Sequence, residues 1–194
     1  ILPSLSDFIR VPNQSPLFDK EVLTNGLQEK ALAVVEKWID EQNITGLTKK
    51  VLTLKGRTPL LYLDIAPSDG LQKTILAYSH LDKQPPFTNW DEGLGPYTPV
   101  VKDGKLYGRG GADDGYGVYA TLTALKAVQE QNLPHARLVM LSEFGEESGS
   151  FDLPFYLETL KDEIGTADIV FCLDTGCGNY DQLWLTTSLR GVAF

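Results

Sequence analysis

The 194-residue sequence has few cysteines, few histidines and no excess of positive charge. Its two cysteines, Cys172 and Cys177, are too few for a disulfide framework, which favours a reducing, cytoplasmic setting. The 17 Lys and Arg residues against 26 Asp and Glu residues give a net charge of −9, which argues against binding to nucleic acid or to an anionic membrane surface. The apolar runs are far shorter than the ~20 residues of a membrane helix, so no transmembrane segment is predicted.

The sequence does contain alternating strand and helix patterns. Strands covered on both faces are predicted from three mostly apolar runs, at 74–79, 136–141 and 168–173. Helices are predicted from apolar residues at helical spacing, at 18–42, 113–129 and 153–161. Hairpins are predicted at 50–65 and around 101–106. The fold class is therefore α/β, with a mostly parallel central sheet flanked by helices.

Candidate functional residues follow the three apolar runs and begin the central helix. In open α/β sheets, ligands bind beyond the carboxyl ends of the strands. One histidine and five carboxylates are placed there: His80, Asp82, Asp113, Glu146, Glu147 and Asp174. So many carboxylates cannot pack together as bare anions, and a multivalent cation would neutralise them. Imidazole and carboxylate ligands without a cysteine cluster favour zinc, with manganese or cobalt as alternatives.

Each of these motifs, taken alone, also has a purely structural explanation. A histidine at a strand end is more often a packed or surface residue than a ligand, and adjacent glutamates are usually solvated. The glycine-rich stretch 108–115 could be a turn with an acidic helix cap, and it lacks the spacing of nucleotide-binding loops. The placement of all the motifs at one sheet edge is what favours a metal site.

Taken in order, the segments YSHLDKQP, LYGRGGADDG, EFGEESGS and CLDTG resemble the signature segments of a di-zinc metallopeptidase family. That family includes carnosinase, aminoacylase, bacterial dipeptidases and glutamate carboxypeptidase, and the resemblance spans roughly 74–191. It implies that His80, Asp113 and Asp174 hold one metal ion, and that Asp113 and Glu147 hold a second.

The same resemblance implies roles for other residues and a substrate class. Glu146 would be the general base, and Asp82 would orient His80. A cis peptide bond is expected between Asp113 and Asp114. An aspartate at position 174 favours a dipeptidase over an acylase, and the resemblance implies a homodimer for the full-length form. One departure is Gly115-Tyr116, where the family often has Lys-Gly.

The second metal ion of the family requires a further histidine. His135 begins the strand that leads to Glu146, about 25 Å away at ~3.3 Å per residue, so we expect it at the opposite edge. We therefore expect 1–186 to be the N-terminal part of a catalytic metallohydrolase domain and 187–194 to begin a lid or dimerisation domain. The chain alone is expected to bind at most one metal ion tightly.

The leading functional hypothesis is metal-dependent hydrolysis of an amide bond in a dipeptide or small peptide. The nearest alternative is a deacylase of N-acyl amino acids, of the acetylornithine or succinyl-diaminopimelate type. A glycosidase would pair Glu146 with Asp174 or Asp113, but it gives His80 and Asp82 no purpose. A non-catalytic metal-binding fragment is the remaining alternative.

Overall fold

The computed structural model describes residues 1–68 and 70–186. These residues form four α-helices: α1 (Leu2–Ile9), α2 (Leu27–Glu41), α3 (Tyr116–Glu130) and α4 (Leu153–Ile164). They also form seven β-strands: β1 (Leu47–Leu52), β2 (Leu60–Ile65), β3 (Thr74–His80), β4 (Val100–Lys102), β5 (Lys105–Tyr107), β6 (Arg137–Glu143) and β7 (Ile169–Cys172). No helix in this part of the chain has the length and apolar character needed to cross a membrane. The predicted start of a second domain at 187–194 lies outside the described residues.

The central sheet has five strands in the order β1-β2-β6-β3-β7. Strand β3 runs parallel to both β6 and β7, so the carboxyl ends of these three strands lie at one edge. The β1–β2 hairpin pairs antiparallel to β6 and extends the sheet on one side. This confirms the predicted α/β domain and the hairpin at its start. The smaller β4–β5 hairpin forms as predicted, with Asp103 and Gly104 at its turn.

Two apolar cores cover the two faces of the sheet. The first packs α1, α2 and α3 against one face of β2, β3 and β6, with Val35, Val118 and Met140 fully buried. The second packs α4 against the other face, and it includes Leu160 of α4 and Tyr62 of β2. Strands β2 and β6 are buried on both faces, which accounts for their nearly continuous apolar sequences.

Two predictions about secondary structure are wrong. The helix predicted at 18–42 begins only at Leu27, because Asp19 and Asn25 make side-chain hydrogen bonds that hold the preceding residues in turns. Such local hydrogen bonds compete with those of a helix. Strand β7, predicted to be covered on both faces, is exposed along its whole length, because neither apolar core of the described residues extends to it.

Candidate metal centre

His80 lies at the carboxyl end of β3, and its side chain is fully buried. Its Nε2 atom is 3.0 Å from Asp113 Oδ1, 3.6 Å from Asp174 Oδ2 and 3.9 Å from Glu146 Oε2. Asp174 follows β7 and Glu146 follows β6, so the parallel strands bring these groups together at one edge. The structure thus gathers three of the predicted carboxylates around one imidazole nitrogen.

Asp82 lies on the other side of the same imidazole ring. Its Oδ1 atom is 3.4 Å from His80 Nδ1, and its backbone carbonyl oxygen is 3.2 Å from the same nitrogen. The Asp82 carboxylate also accepts the backbone N–H groups of Glu146 at 3.2 Å and Glu147 at 3.1 Å. Asp82 therefore ties the end of β3 to the turn that carries both glutamates, and it contacts the ring nitrogen that faces away from the other carboxylates.

Asp113 lies in the Gly111–Gly115 turn before α3, and the peptide bond between Asp113 and Asp114 is cis, as expected. This turn is wider than an α-helical one, and the N–H of Gly115 donates to the carbonyl of Gly110 at 3.0 Å. A Cβ atom at Gly115 would lie 2.4 Å from the ring of Phe8 and 2.5 Å from the carbonyl oxygen of Gly110. This close packing leaves no space for a side chain at Gly115.

Asp114 is fully buried next to His80, and no role at the site was predicted for it from the sequence. Its Oδ2 atom accepts the backbone N–H of His80 at 3.3 Å, while Oδ1 has no hydrogen-bond partner among residues 1–68 and 70–186. Nearby, the hydroxyl of Tyr116 donates to the carbonyl of Leu173, which links the start of α3 to the segment bearing Asp174. In the sequence, the only signal that could have indicated the contact between Asp114 and His80 is the pair of adjacent aspartates at the start of a buried helix.

Two groups of side chains have ligand atoms close enough to hold a metal ion. In the first, the ligand atoms of His80, Asp113 and Glu147 lie within 4.8 Å of one another, and in the second those of His80, Glu146 and Asp174 do so. All the predicted metal ligands are therefore brought together, with His80 common to both groups. The second group contains Glu146, which the sequence assigned to proton transfer.

The electrostatics of the cluster are those of excess negative charge. Burial opposes protonation of His80, but its hydrogen bonds with Asp113 and Asp82 prevail and raise its pKa to about 11. The hydrogen bond with His80 holds the pKa of Asp113 below its usual range. Burial, followed by the charge of Asp113, raises the pKa of Glu147 to about 7. Burial likewise raises the pKa of Glu146 and of Asp174.

His135 lies at the opposite end of β6, away from this cluster. Its Nε2 atom is 3.1 Å from Gln129 Nε2, and its backbone N–H donates to Ser68 Oγ at 2.7 Å. It belongs to neither group of possible metal ligands in the part of the chain described. The described residues therefore supply one histidine to the centre.

Comparison with known proteins identifies a family and several relatives that this chain resembles. The model of Peptidase family M20/M25/M40 matches residues 76–183. The chain is 32% identical over 206 residues to an uncharacterized metallohydrolase of Methanocaldococcus jannaschii, covering 96% of this chain and 48% of that protein. It is 40% identical over 135 residues to the Beta-Ala-His dipeptidase of Homo sapiens, covering 66% of this chain and 24% of that protein.

The fold is similar to solved structures as well. The crystal structure of human carnosine dipeptidase 1 superposes with a TM-score of 0.70 at 23% identity, covering 90% of this chain and 38% of that one. A metallo-carboxypeptidase from Sulfolobus solfataricus gives a TM-score of 0.71 at 24% identity, with 90% and 37% covered. The chain thus spans about half the length, or less, of the relatives that it matches.

Proposed function

Because the chain belongs to Peptidase family M20/M25/M40, we propose that its cluster of carboxylates around His80 binds divalent metal ions and takes part in amide hydrolysis. The observation that carries this proposal is the pair of possible ligand groups that share His80 at the carboxyl ends of three parallel strands. In its full-length form the protein would be a dipeptidase or small-peptide hydrolase, which agrees with the name of its human relative.

The donor atoms suit a divalent cation. Glu147 has one carboxylate oxygen, Oε1, that is buried and lacks a hydrogen-bond partner within the described ranges, while Gln84 donates to the other. A buried carboxylate oxygen without a donor is costly unless a cation faces it. Imidazole and carboxylate donors together favour zinc, with manganese or cobalt as alternatives.

We assign His80, Asp113, Asp174 and Glu147 as metal ligands for two divalent ions, with Asp113 shared between the two. Glu146 is assigned to proton transfer on the family resemblance, and its oxygen lies 3.9 Å from His80 Nε2, beside the proposed ligands. With one histidine at the centre, the 194-residue chain would hold at most one of the two ions tightly. The predicted homodimer is a separate expectation for the full-length protein.

Bound metal ions would supply a water of lowered pKa and would polarise the carbonyl of the substrate. The side chains of the protein would perform the remaining steps. The carboxylate of Glu146 would accept the proton of the attacking water and deliver it to the amine that leaves. Burial raises the pKa of Glu146, which makes its carboxylate a better base than a solvated one. Asp82 would fix the orientation of His80 by accepting the N–H of Nδ1.

A glycosidase is disfavoured because it gives the imidazole no role. The ligand oxygens of Glu146 and Asp174 lie within 4.8 Å of each other and of the imidazole. The imidazole within the same group is better explained by metal binding.

Glu146→Gln tests the proposal in the full product of the gene that encodes this chain. Turnover of dipeptides should fall by about 10²–10⁴-fold because a general base is lost, while the zinc content stays unchanged. Glu41→Gln, at the exposed end of α2, is the matched control and should retain full turnover. The substrate panel should include N-acyl amino acids, because their cleavage in place of dipeptides would establish the deacylase instead. A variant at Glu146 with normal turnover, or a wild-type protein that cleaves neither class, would contradict the proposal.

A further inference from the structure

Lys83 is a buried lysine beside the candidate metal centre, and the proposed mechanism does not use it. It is fully buried, and its Nζ donates to the carbonyl oxygens of Phe8 at 2.7 Å and Val11 at 2.6 Å, and to Asn13 Oδ1 at 2.8 Å. These three acceptors match the three N–H groups of a charged ammonium. The Phe8 carbonyl belongs to the last turn of α1, where the helix dipole favours a cation.

Residues 8–17, which we call the strap, run from the end of α1 along the segments that carry the candidate ligands. At the end of β3, the side chain of Asn13 donates to the carbonyl of Leu81 at 2.8 Å. The backbone N–H of Ser15 donates to the carbonyl of Lys83 at 3.0 Å. The strap is therefore bound to the residues on both sides of Asp82.

The strap also reaches the turn that follows β6. The hydroxyl groups of Ser15 and Ser148 are 2.5 Å apart, and the backbone N–H of Leu17 donates to Ser148 Oγ at 2.8 Å. Ser148 is the residue directly after Glu147. The strap thus connects the end of β3 with the turn that carries both glutamates.

The stem of Lys83 contacts the third segment that carries a ligand. A Cβ atom at Gly110 would lie 2.4 Å from Lys83 Cε, and Gly110 has a φ of 82° that favours glycine. Gly110 immediately precedes the Gly111–Gly115 turn that bears Asp113. The lysine stem therefore packs directly against the base of this turn, while its ammonium holds the strap.

We propose that Lys83 is a positioning residue, which joins the strap to the segments that bear His80, Asp113 and Glu147 and so fixes the spacing of these ligands. The inference rests on the proposed function, since it requires that the centre bind a metal ion. Without the ammonium, each of the three oxygen acceptors would lose a hydrogen bond, and the contacts between the strap and the ligand-bearing segments would loosen. Loss of outer contacts that orient metal ligands typically weakens metal affinity by about 10–100-fold.

Lys83→Met, which keeps most of the length of the side chain and removes the ammonium, tests this positioning role in the full gene product. Zinc affinity, measured by competition with a chromophoric chelator, should fall by about 10–100-fold. The visible absorption spectrum of bound Co²⁺ should also change, because the ligand geometry is altered. Leu160→Ala is the control, because it perturbs the second core on α4, away from the strap, and should leave affinity and spectrum unchanged.

The possible outcomes separate the inference from the proposed function. Wild-type affinity and spectrum in a folded Lys83→Met variant would overturn the positioning role and leave the metal centre intact. Failure of the wild-type gene product to bind any metal would overturn both. If Lys83→Met does not fold, Asn13→Ala removes one acceptor of Lys83 together with the hydrogen bond from the strap to Leu81. This variant should weaken zinc binding to a smaller extent, and an unchanged affinity in it would overturn the inference.

Discussion

Zinc affinity should rise steeply with pH, because protons and metal ions compete for the same side chains. Hydrogen bonds with Asp113 and Asp82 outweigh the effect of burial and raise the pKa of His80 to about 11, so without metal the ring is protonated throughout the neutral range. Burial and the charge of Asp113 raise the pKa of Glu147 to about 7. A metal ion binds only the deprotonated forms, so each displaced proton makes the affinity change about tenfold per pH unit. Between pH 8 and 9, where the metal ion displaces only the proton of His80, we expect the affinity to change about tenfold per pH unit. Below pH 6, where Glu147 also carries a proton, we expect a change of about a hundredfold per pH unit.

Zinc titrations with chelator-buffered metal at pH 5, 6, 8 and 9 measure the slope in both ranges. Calorimetry in buffers of different ionisation enthalpy should also detect the release of about one proton per zinc ion at pH 8. His135→Gln is the control for a general histidine effect and should give the wild-type slope, since His135 lies at the opposite end of β6. An affinity that does not change between pH 8 and 9, with no proton released, would refute the assignment of His80 as a protonated ligand.

Two further predictions concern stability. Leu160→Ala should lower the free energy of unfolding by about 2–5 kcal/mol, because Leu160 is fully buried in the core between α4 and the sheet, and urea unfolding measures this. A loss below about 1 kcal/mol would contradict the packing of α4 described here. Zinc at 100 times its dissociation constant should raise the free energy of unfolding by about 2.7 kcal/mol, and a chelator should reverse the effect. An unfolding transition that zinc does not change would show that the folded chain binds the ion no better than the unfolded chain does.

The sequence located most of the sheet because apolar runs indicate residues that avoid water. In β3 and β6 this inference is sound, since helices cover both faces of the sheet at those strands. It fails for β7, whose residues Ile169, Val170 and Phe171 are equally apolar and lie exposed at the edge. An apolar run therefore predicts a strand but does not show which neighbour covers it.

Helix boundaries were predicted less well, because apolar periodicity does not show where a helix begins. Apolar residues before α2, such as Val22, are buried and fit a helical spacing, yet this segment forms turns. The hydrogen bonds of Asp19 with Glu21 and Asn25 determine its conformation, and such side-chain contacts are local competitors that periodicity does not reveal. Helix α1 was not predicted at all, because eight residues give too little periodic signal.

The convergence of the candidate ligands was predictable because it depends on topology. His80, Glu146 and Asp174 each follow a strand, and the carboxyl ends of parallel strands meet at one edge. Asp114 and Lys83 were not assigned roles, because their importance depends on burial against residues distant in sequence. Lys83 contacts the strap about 70 residues earlier in the chain, and nothing in the local sequence distinguishes it from an exposed lysine.

The charge on His80 explains how the carboxylates remain close together before a metal ion binds. With its pKa raised to about 11, the imidazolium supplies a positive charge among Asp82, Asp113, Glu146 and Asp174 at neutral pH. A divalent ion that displaces this proton would add one unit of positive charge to the cluster. It would also give the buried Glu147 oxygen, which has no donor among the described residues, a cation to face. Because that proton and a metal ion compete for the same nitrogen, metal binding depends on pH.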